Sequence, residues 1–266
     1  MPMAAAVSGA FSGLRTLRTR KARIADTMRT PIPDAIEAAA VIVAAGKSSR
    51  MGGGRNKVLQ LLGGRPVLSY SLEVFQKCGR ISRIAIVGRQ EDRVEISSLI
   101  ENYCPKAKGG FVPGGAERFD SVRNGLEFFA SAAPAAVLIH DAARPFIQER
   151  FILDSLEQLN ETPGCVIGVP LKDTLKETDA NAAVIRTRER TKFWLAQTPQ
   201  TFLYPIILEA YRQCSPPPYP TDDGEVLEMA RGAVKMAEGS YLNMKITAPE
   251  DLRLAESILL TLGHPS

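Results

Sequence analysis

The sequence predicts an α/β fold in which helices cover both faces of a mostly parallel sheet, and three observations carry that expectation. From Ala39 onward, short β-branched runs alternate with amphipathic stretches of helical length. The turn after the first of these runs is built of small residues and glycine, as at the carboxyl edge of an open sheet where ligands bind. A chain of 266 residues can bury one large core or two small ones, and it carries no internal repeat and no sign of a second core.

Taken in order, the strands are expected at Ala39 to Ala44, Arg83 to Val87, Gly110 to Val112, Ala136 to His140 and Cys165 to Val169. Helices are expected between them near Val67 to Lys77, Asp92 to Asn102, Phe119 to Ser131 and Arg150 to Asn160. Pro66 suits a first helical position, where no amide is needed. After Pro170 the rhythm gives way to polar, charged alternation over about 173–195, with Val184, Ile185, Phe193 and Trp194 as the large apolar anchors. This reads as a β-arm projecting from the domain. A helix at Tyr204 to Gln213, a proline-rich loop from Ser215 to Pro220, a helix from about Asp222, and strands at Val234 to Ala237 and Leu242 to Ile246 follow. The last helix opens on Thr247 and Glu250, spaced as a capping box, and runs to about Leu262.

Composition narrows the function. The net charge of +4 comes wholly from residues 1–36, which carry six Lys/Arg against two Asp, so from Glu37 on no basic face asks for DNA or RNA. No apolar run approaches the ~18 to 20 residues that span a bilayer. The four cysteines stand singly, which argues against a zinc site or a disulfide framework and suits a reducing cytoplasm. With only His140 and His264, a histidine-based triad has little material. The basic opening segment is like an organellar transit peptide in charge, but it reads better as a disordered tail or an upstream misassigned start, since Met28 could begin an intact domain. Residues 37–266 are therefore taken as one domain.

Chemistry concentrates in Val41 to Lys57. Small Ala44, Ala45 and Gly46 allow close backbone approach, and the amides of Gly46, Lys47, Ser48 and Ser49 can form a concave nest for phosphate oxygens. Arg50 adds a fixed charge, and Lys57 a second one beyond the flexible Gly52 to Gly54 stretch. The spacing of a P-loop is absent, as is the dinucleotide fingerprint that a nicotinamide-dependent oxidoreductase would need. A glycine-rich surface turn with solvated cations has the same composition.

The run AAGKSSRMGGGRNK closely resembles the nucleotide loop of 2-C-methyl-D-erythritol 4-phosphate cytidylyltransferases of the non-mevalonate isoprenoid route. Segments Pro113 to Arg118, Asp120 to Val122, His140 to Pro145, Pro170 to Thr174, Thr198 to Gln200, Thr221 to Asp223 and Asn243 to Thr247 agree in order, so the resemblance spans roughly Ala39 to Leu260. It implies a three-layer, Rossmann-like nucleotidyltransferase fold and transfer of a cytidylyl group from CTP to a polyol phosphate, with Mg²⁺ as the divalent cation. It further implies that Ala44, Ala45, Gly115 and Ser121 surround the cytosine while Gly46 to Ser49 wrap the triphosphate. Arg50, Lys57 and Lys245 become the expected catalytic cations. Asp141 and Arg144 should face the acceptor, with a role for Asp141 at the metal as an alternative. Thr174, Thr198 and Thr221 resemble acceptor-contacting threonines, and Arg190 resembles an arginine that reaches the acceptor phosphate in a neighbouring subunit, which implies a homodimer with exchanged arms.

The acceptor is a phosphate monoester whose second pKa lies near ~6, so it arrives mostly dianionic and needs no general base. His140 is expected to be structural. The chain departs from the family pattern at Lys47 and Ser48, where a more glycine-rich turn is common, at Asn56, where proline often precedes the lysine, and at Ala116, where an acidic residue is frequent. A ribitol-5-phosphate cytidylyltransferase is the nearest rival. A catalytically dead nucleotide sensor would be expected to have lost Lys57 or Lys245, and both are present.

Overall fold

The structure is a computed structural model that describes residues 37–46, 56–107 and 110–262. Strand β1 (Ala38–Val43) leads through the short hairpin β2 (Leu61–Leu62) and β3 (Arg65–Pro66) to helix α1 (Val67–Lys77). Then come β4 (Ile81–Gly88), α2 (Arg93–Tyr103), β5 (Phe111–Pro113), α3 (Arg118–Phe128), β6 (Ala136–Asp141), α4 (Glu149–Glu157) and β7 (Gly164–Pro170). The arm hairpin β8 (Lys176–Thr178) and β9 (Val184–Thr187) precedes β10 (Trp194–Leu203), α5 (Tyr204–Gln213), α6 (Asp223–Met229), β11 (Val234–Glu238) and α7 (Pro249–Thr261).

The seven-stranded sheet has the order β11-β7-β10-β6-β1-β4-β5. Every pairing in it is parallel except those of β10, which runs antiparallel to both β6 and β7. Alternation along β1 builds the three layers: Ala38, Ala40 and Ile42 face the core under α1, α2 and α4, whereas Ala39 and Val41 face the core under α3, α5 and α6. Strand β1 lies between β4 and β6, and the chain departs to either side of it. The ends of β1, β5 and β6 therefore open onto one edge at the switch in strand order, where an open α/β sheet leaves a crevice.

The parallel core follows the sequence expectation, and three elements depart from it. Strand β10 was not expected, because Gln197, Thr198, Pro199 and Gln200 break the apolar run; its pairing with β7 shifts between Ala196 and Gln200, and Pro199, which has no amide to donate, falls in that irregularity. The strand expected at Leu242 to Ile246 is not one. Asn243 closes a turn onto Ser240 (2.9 Å) and Ile246 makes one cross-link to the Ala143 carbonyl (2.8 Å), with no ladder. At the last helix the capping carboxylate is Asp251 rather than Glu250, since it accepts from the amides of Thr247 and Ala248 at 2.7 and 2.9 Å. The polar arm is a hairpin as expected, closed at its root by the Leu171 amide donating to the Phe193 carbonyl (2.9 Å).

Candidate active site

A cleft of about 290 Å³ lies at this edge. Its walls are Val43 to Gly46 at the end of β1, Gly115 to Arg118 and Ser121 at the start of α3, Asp141 and Ala143 at the end of β6, and the side chains of Lys57 and Lys245. The close packing of the first two walls depends on glycine. A Cβ on Gly114 would come within 2.5 Å of the Ala45 Cβ, and one on Gly115 within 2.3 Å of the Asp120 Cβ. Gly115 donates its amide to Ser121 Oγ (3.0 Å), whose own hydroxyl donates to the Glu117 carbonyl (3.1 Å). Ser121 thus shapes the pocket wall while its proton is already committed.

The opposite wall is electrostatic. Lys245 Nζ donates to Asp141 Oδ2 at 2.7 Å, and Arg118 Nε to Asp141 Oδ1 at 3.2 Å. The guanidinium of Arg118 also grips Asp223 with two bonds of 2.9 and 2.8 Å, and Tyr211 donates to the same carboxylate at 2.5 Å. Asp223 is held further by Gln200, whose Oε1 accepts from the amides of Asp223 and Gly224, both at 2.9 Å. Burial alone would raise the Asp141 pKa, but Arg118, Lys245 and Arg144 outweigh it and hold the carboxyl well below the usual range. Burial works against the charge of Arg118 as well; Asp223 and Asp141 overcome it and raise its pKa.

His140 lies fully buried behind Asp141. Its Nε2 is 3.2 Å from the Arg144 carbonyl, which can only accept, so Nε2 carries the proton and Nδ1 accepts from Thr198 Oγ1 at 3.0 Å. Burial pushes its pKa down to about 4. The Thr198 hydroxyl oxygen accepts from the Asp141 amide at 3.1 Å, so this pair props the carboxylate from beneath. His140 is a neutral support, as the sequence suggested.

The fold gathers Ala44, Ala45, Gly46, Lys57, Gly115, Ser121, Asp141 and Lys245 around one cleft. Lys47, Ser48, Ser49 and Arg50 lie outside the described residues. Thr198 is buried below the site rather than lining it. Arg144 turns away to donate to the Asn243 carbonyl at 2.7 Å, with its buried Nε unpartnered. Thr174 is exposed on the arm, where Arg190 donates to the Lys172 carbonyl at 2.5 Å, and the Thr221 hydroxyl donates to Glu225 at 2.8 Å; none of the three lines the cleft. Sequence reasoning gave no role to Arg118, Asp223, Tyr211 or Gln200. Arg118 and Asp223 stand inside quoted motifs, but what joins them is a contact across 105 positions of chain, which no local spacing signals. Among the described residues no group of three or more His, Cys, Asp or Glu is placed to hold a metal, and no helix is long and apolar enough to cross a membrane.

A cleft at the switch point of a mostly parallel sheet, with small residues on one side and fixed cations around one ionised carboxylate on the other, suits a nucleotidyltransferase, and the family match shows that class. The family model of 2-C-methyl-D-erythritol 4-phosphate cytidylyltransferase matches residues 38–261. The chain belongs to that family. It is 43% identical over 223 residues to the 2-C-methyl-D-erythritol 4-phosphate cytidylyltransferase of Alkaliphilus oremlandii, covering 83% of this chain and 94% of that protein. It is 38% identical over 220 residues to the protein of the same name from Bacillus mycoides, covering 82% and 96%. Among solved structures, the 4-diphosphocytidyl-2C-methyl-D-erythritol synthase of Anaerococcus prevotii superposes with a TM-score of 0.74 at 30% identity, covering 85% of this chain and 97% of that one. The 2-C-methyl-D-erythritol 4-phosphate cytidylyltransferase of Thermus thermophilus gives 0.66 at 28%, covering 83% and 98%.

Proposed function

We propose that the chain transfers the cytidylyl group of CTP to 2-C-methyl-D-erythritol 4-phosphate, giving 4-diphosphocytidyl-2-C-methyl-D-erythritol and pyrophosphate. The observation that carries this is the pairing of Lys57 and Lys245 on the same cleft as the small-residue end of β1. A phosphate oxygen of the acceptor attacks the α-phosphorus of CTP, a new P–O bond forms, and the bond to the β-phosphate breaks as pyrophosphate leaves. Charge builds on the α-phosphate and on the departing group, so fixed cations suffice. Lys57 and Lys245, with Arg50, supply them, while Gly46, Lys47, Ser48 and Ser49 cradle the triphosphate. Ala44, Ala45, Gly115 and Ser121 enclose the cytosine, where main-chain groups matched to its 4-amino group would reject uracil.

Mg²⁺ commonly binds through one or two carboxylates together with substrate phosphates, which suits a cleft whose central carboxylate, Asp141, is kept ionised. Asp141 would hold the ion, which when bound neutralises phosphate charge. The resemblance assigns Arg144, Thr174, Arg190, Thr198 and Thr221 to the acceptor side, although none of them lines the cleft of the single chain. For Arg190 this reading needs a homodimer, since its arm carries Val184, Ile185, Trp194 and Leu195 exposed among charged neighbours and a partner would cover them. The domain is read as residues 37–266 after a basic tail, and the cytoplasm suits its four free cysteines.

Ribitol 5-phosphate is the alternative acceptor, and every relative described above is named for the methylerythritol compound. Side-by-side turnover of the two acceptors with CTP tests the choice. Faster use of methylerythritol phosphate is expected, and preference for ribitol phosphate would reverse it. Mixing an Arg190 variant with a Lys57 variant tests the shared site: hybrid dimers should regain part of the lost activity, and no recovery despite subunit exchange would refute it.

A further inference from the structure

Asn56, which immediately precedes Lys57, is completely buried. Both the nitrogen and the oxygen of its carboxamide are engaged. Nδ2 donates to the Ala44 carbonyl and to Asp92 Oδ2, each at 2.8 Å, while Oδ1 accepts from the Val58 amide at 3.3 Å. Rotating the amide by half a turn would set like groups against all three partners, so its orientation is fixed. Asp92 is fixed in turn by two bonds from Arg89 at 2.7 and 2.9 Å. Burial would raise the Asp92 pKa, yet the bonds from Arg89 and Asn56 bring it down, so the carboxylate stays an acceptor. Ala44 is held from its other side as well, its amide donating to the Val87 carbonyl at 2.7 Å.

One side chain thus ties the end of β1 to the turn that starts at Lys57, and both to the segment after β4. Filling that corner needs only an apolar group of similar volume; what a carboxamide adds is direction, because each bond has a preferred line. The backbone at Asn56 has φ −55°, within the range a proline ring would impose. The corner itself is therefore ordinary, and the distinctive part is the three-way tie.

We propose that Asn56 is a positioning residue for cytidylyl transfer, locking Lys57 in register with the Ala44 end of β1 through a clamp completed by Asp92 and Arg89. The proposal rests on the reading of Lys57 as a catalytic cation. Its test is a double-mutant cycle in the full chain, measuring kcat and KM for CTP in N56A, K57A and the double variant, with thermal melts of each. N56S is run in parallel, since a hydroxyl can still cap Val58 while the reach to Ala44 is lost. Misplacing a reacting group by about 1 Å costs on the order of 100-fold, so N56A and N56S should each lower kcat/KM about 10- to 100-fold while remaining folded at the assay temperature. In the K57A background the same substitution should cost almost nothing further, because the group it positions is gone. A full, multiplicative loss in that background would overturn the proposal and leave the role of Lys57 intact. Wild-type turnover in both Asn56 variants, or unfolding of both, would overturn it too. Undiminished turnover in K57A would instead remove the reading of Lys57, and the proposal with it.

Discussion

The cleft wall and the arm carry similar inventories of charge and arrange them in opposite ways. Around Asp141, each ionic group meets buried partners from distant elements: Arg118 opens α3, Asp223 opens α6 and Lys245 follows β11. On the arm, Glu177 pairs with Arg186 of the neighbouring strand and with Arg188 just beyond it, at the protein surface. The first arrangement is over-determined by the fold, whereas the second is a set of screened surface pairs worth little by themselves. The cleft charges are thus fixed from several elements of the domain at once, whereas the pairs of the arm lie within one hairpin.

Substitutions should separate the two regions sharply. K245A leaves Asp141 with Arg118 as its remaining ionic partner in the cleft but removes a preorganised cation, and turnover should fall by about 100- to 1000-fold; a variant with wild-type turnover would take Lys245 out of the chemistry. D223A strands the Arg118 guanidinium without its two-bond partner, and breaking such a buried pair costs about 3 to 5 kcal/mol. Urea denaturation measures that loss, and a change too small to resolve would mean the cluster is not the rigid support described here.

His140 gives a pH-dependent effect of smaller size. Its pKa is lowered from 6.5 to about 4 by burial, so as pH falls the unfolded chain takes up the proton first. The stability this confers is complete above about pH 6.5 and is lost as pH drops toward 4, amounting to about 3 kcal/mol for a shift of this size. Asp141 adds its own contribution only lower, because a depressed carboxyl keeps its advantage until pH falls below the ordinary carboxylate range. Unfolding free energies at pH 7 and 5 should therefore differ by about 2 kcal/mol from this group, and equal values would contradict the buried neutral imidazole. Smallest of all, E177A on the arm should leave the midpoint of unfolding unchanged; a large drop would show that the hairpin is held by its own ion pairs.

The parallel core was legible because short continuous apolar, β-branched runs and amphipathic helix-length stretches alternate cleanly from Ala39 to Val169. Strand β10 was hidden because its middle, Gln197 to Gln200, serves the site rather than the core: Thr198 supports His140 and Asp141, and Gln200 holds Asp223 and Gly224. A strand that carries polar functional groups loses the alternation by which strands are recognised. Lys57, Asp141 and Lys245 were found through motif resemblance, which marks single positions in order along the chain. Arg118 with Asp223, and Asn56 with Asp92, are pairs created by the fold, and neither partner alone differs from an ordinary surface residue in sequence. Arg144 shows the reverse case, since its motif pointed to the cleft and its guanidinium meets the Asn243 carbonyl instead.

In the proposed reaction, fixed cations receive an attack by an anion that the acceptor brings with it. The most direct test is the pH dependence of kcat/KM for the acceptor, measured once with the phosphate and once with a phosphonate analogue of higher second pKa. The rising limb should follow the ionisation of the acceptor and move with it from one compound to the other. A limb that stays at the same pH for both would place the titrating base on the protein and contradict the account.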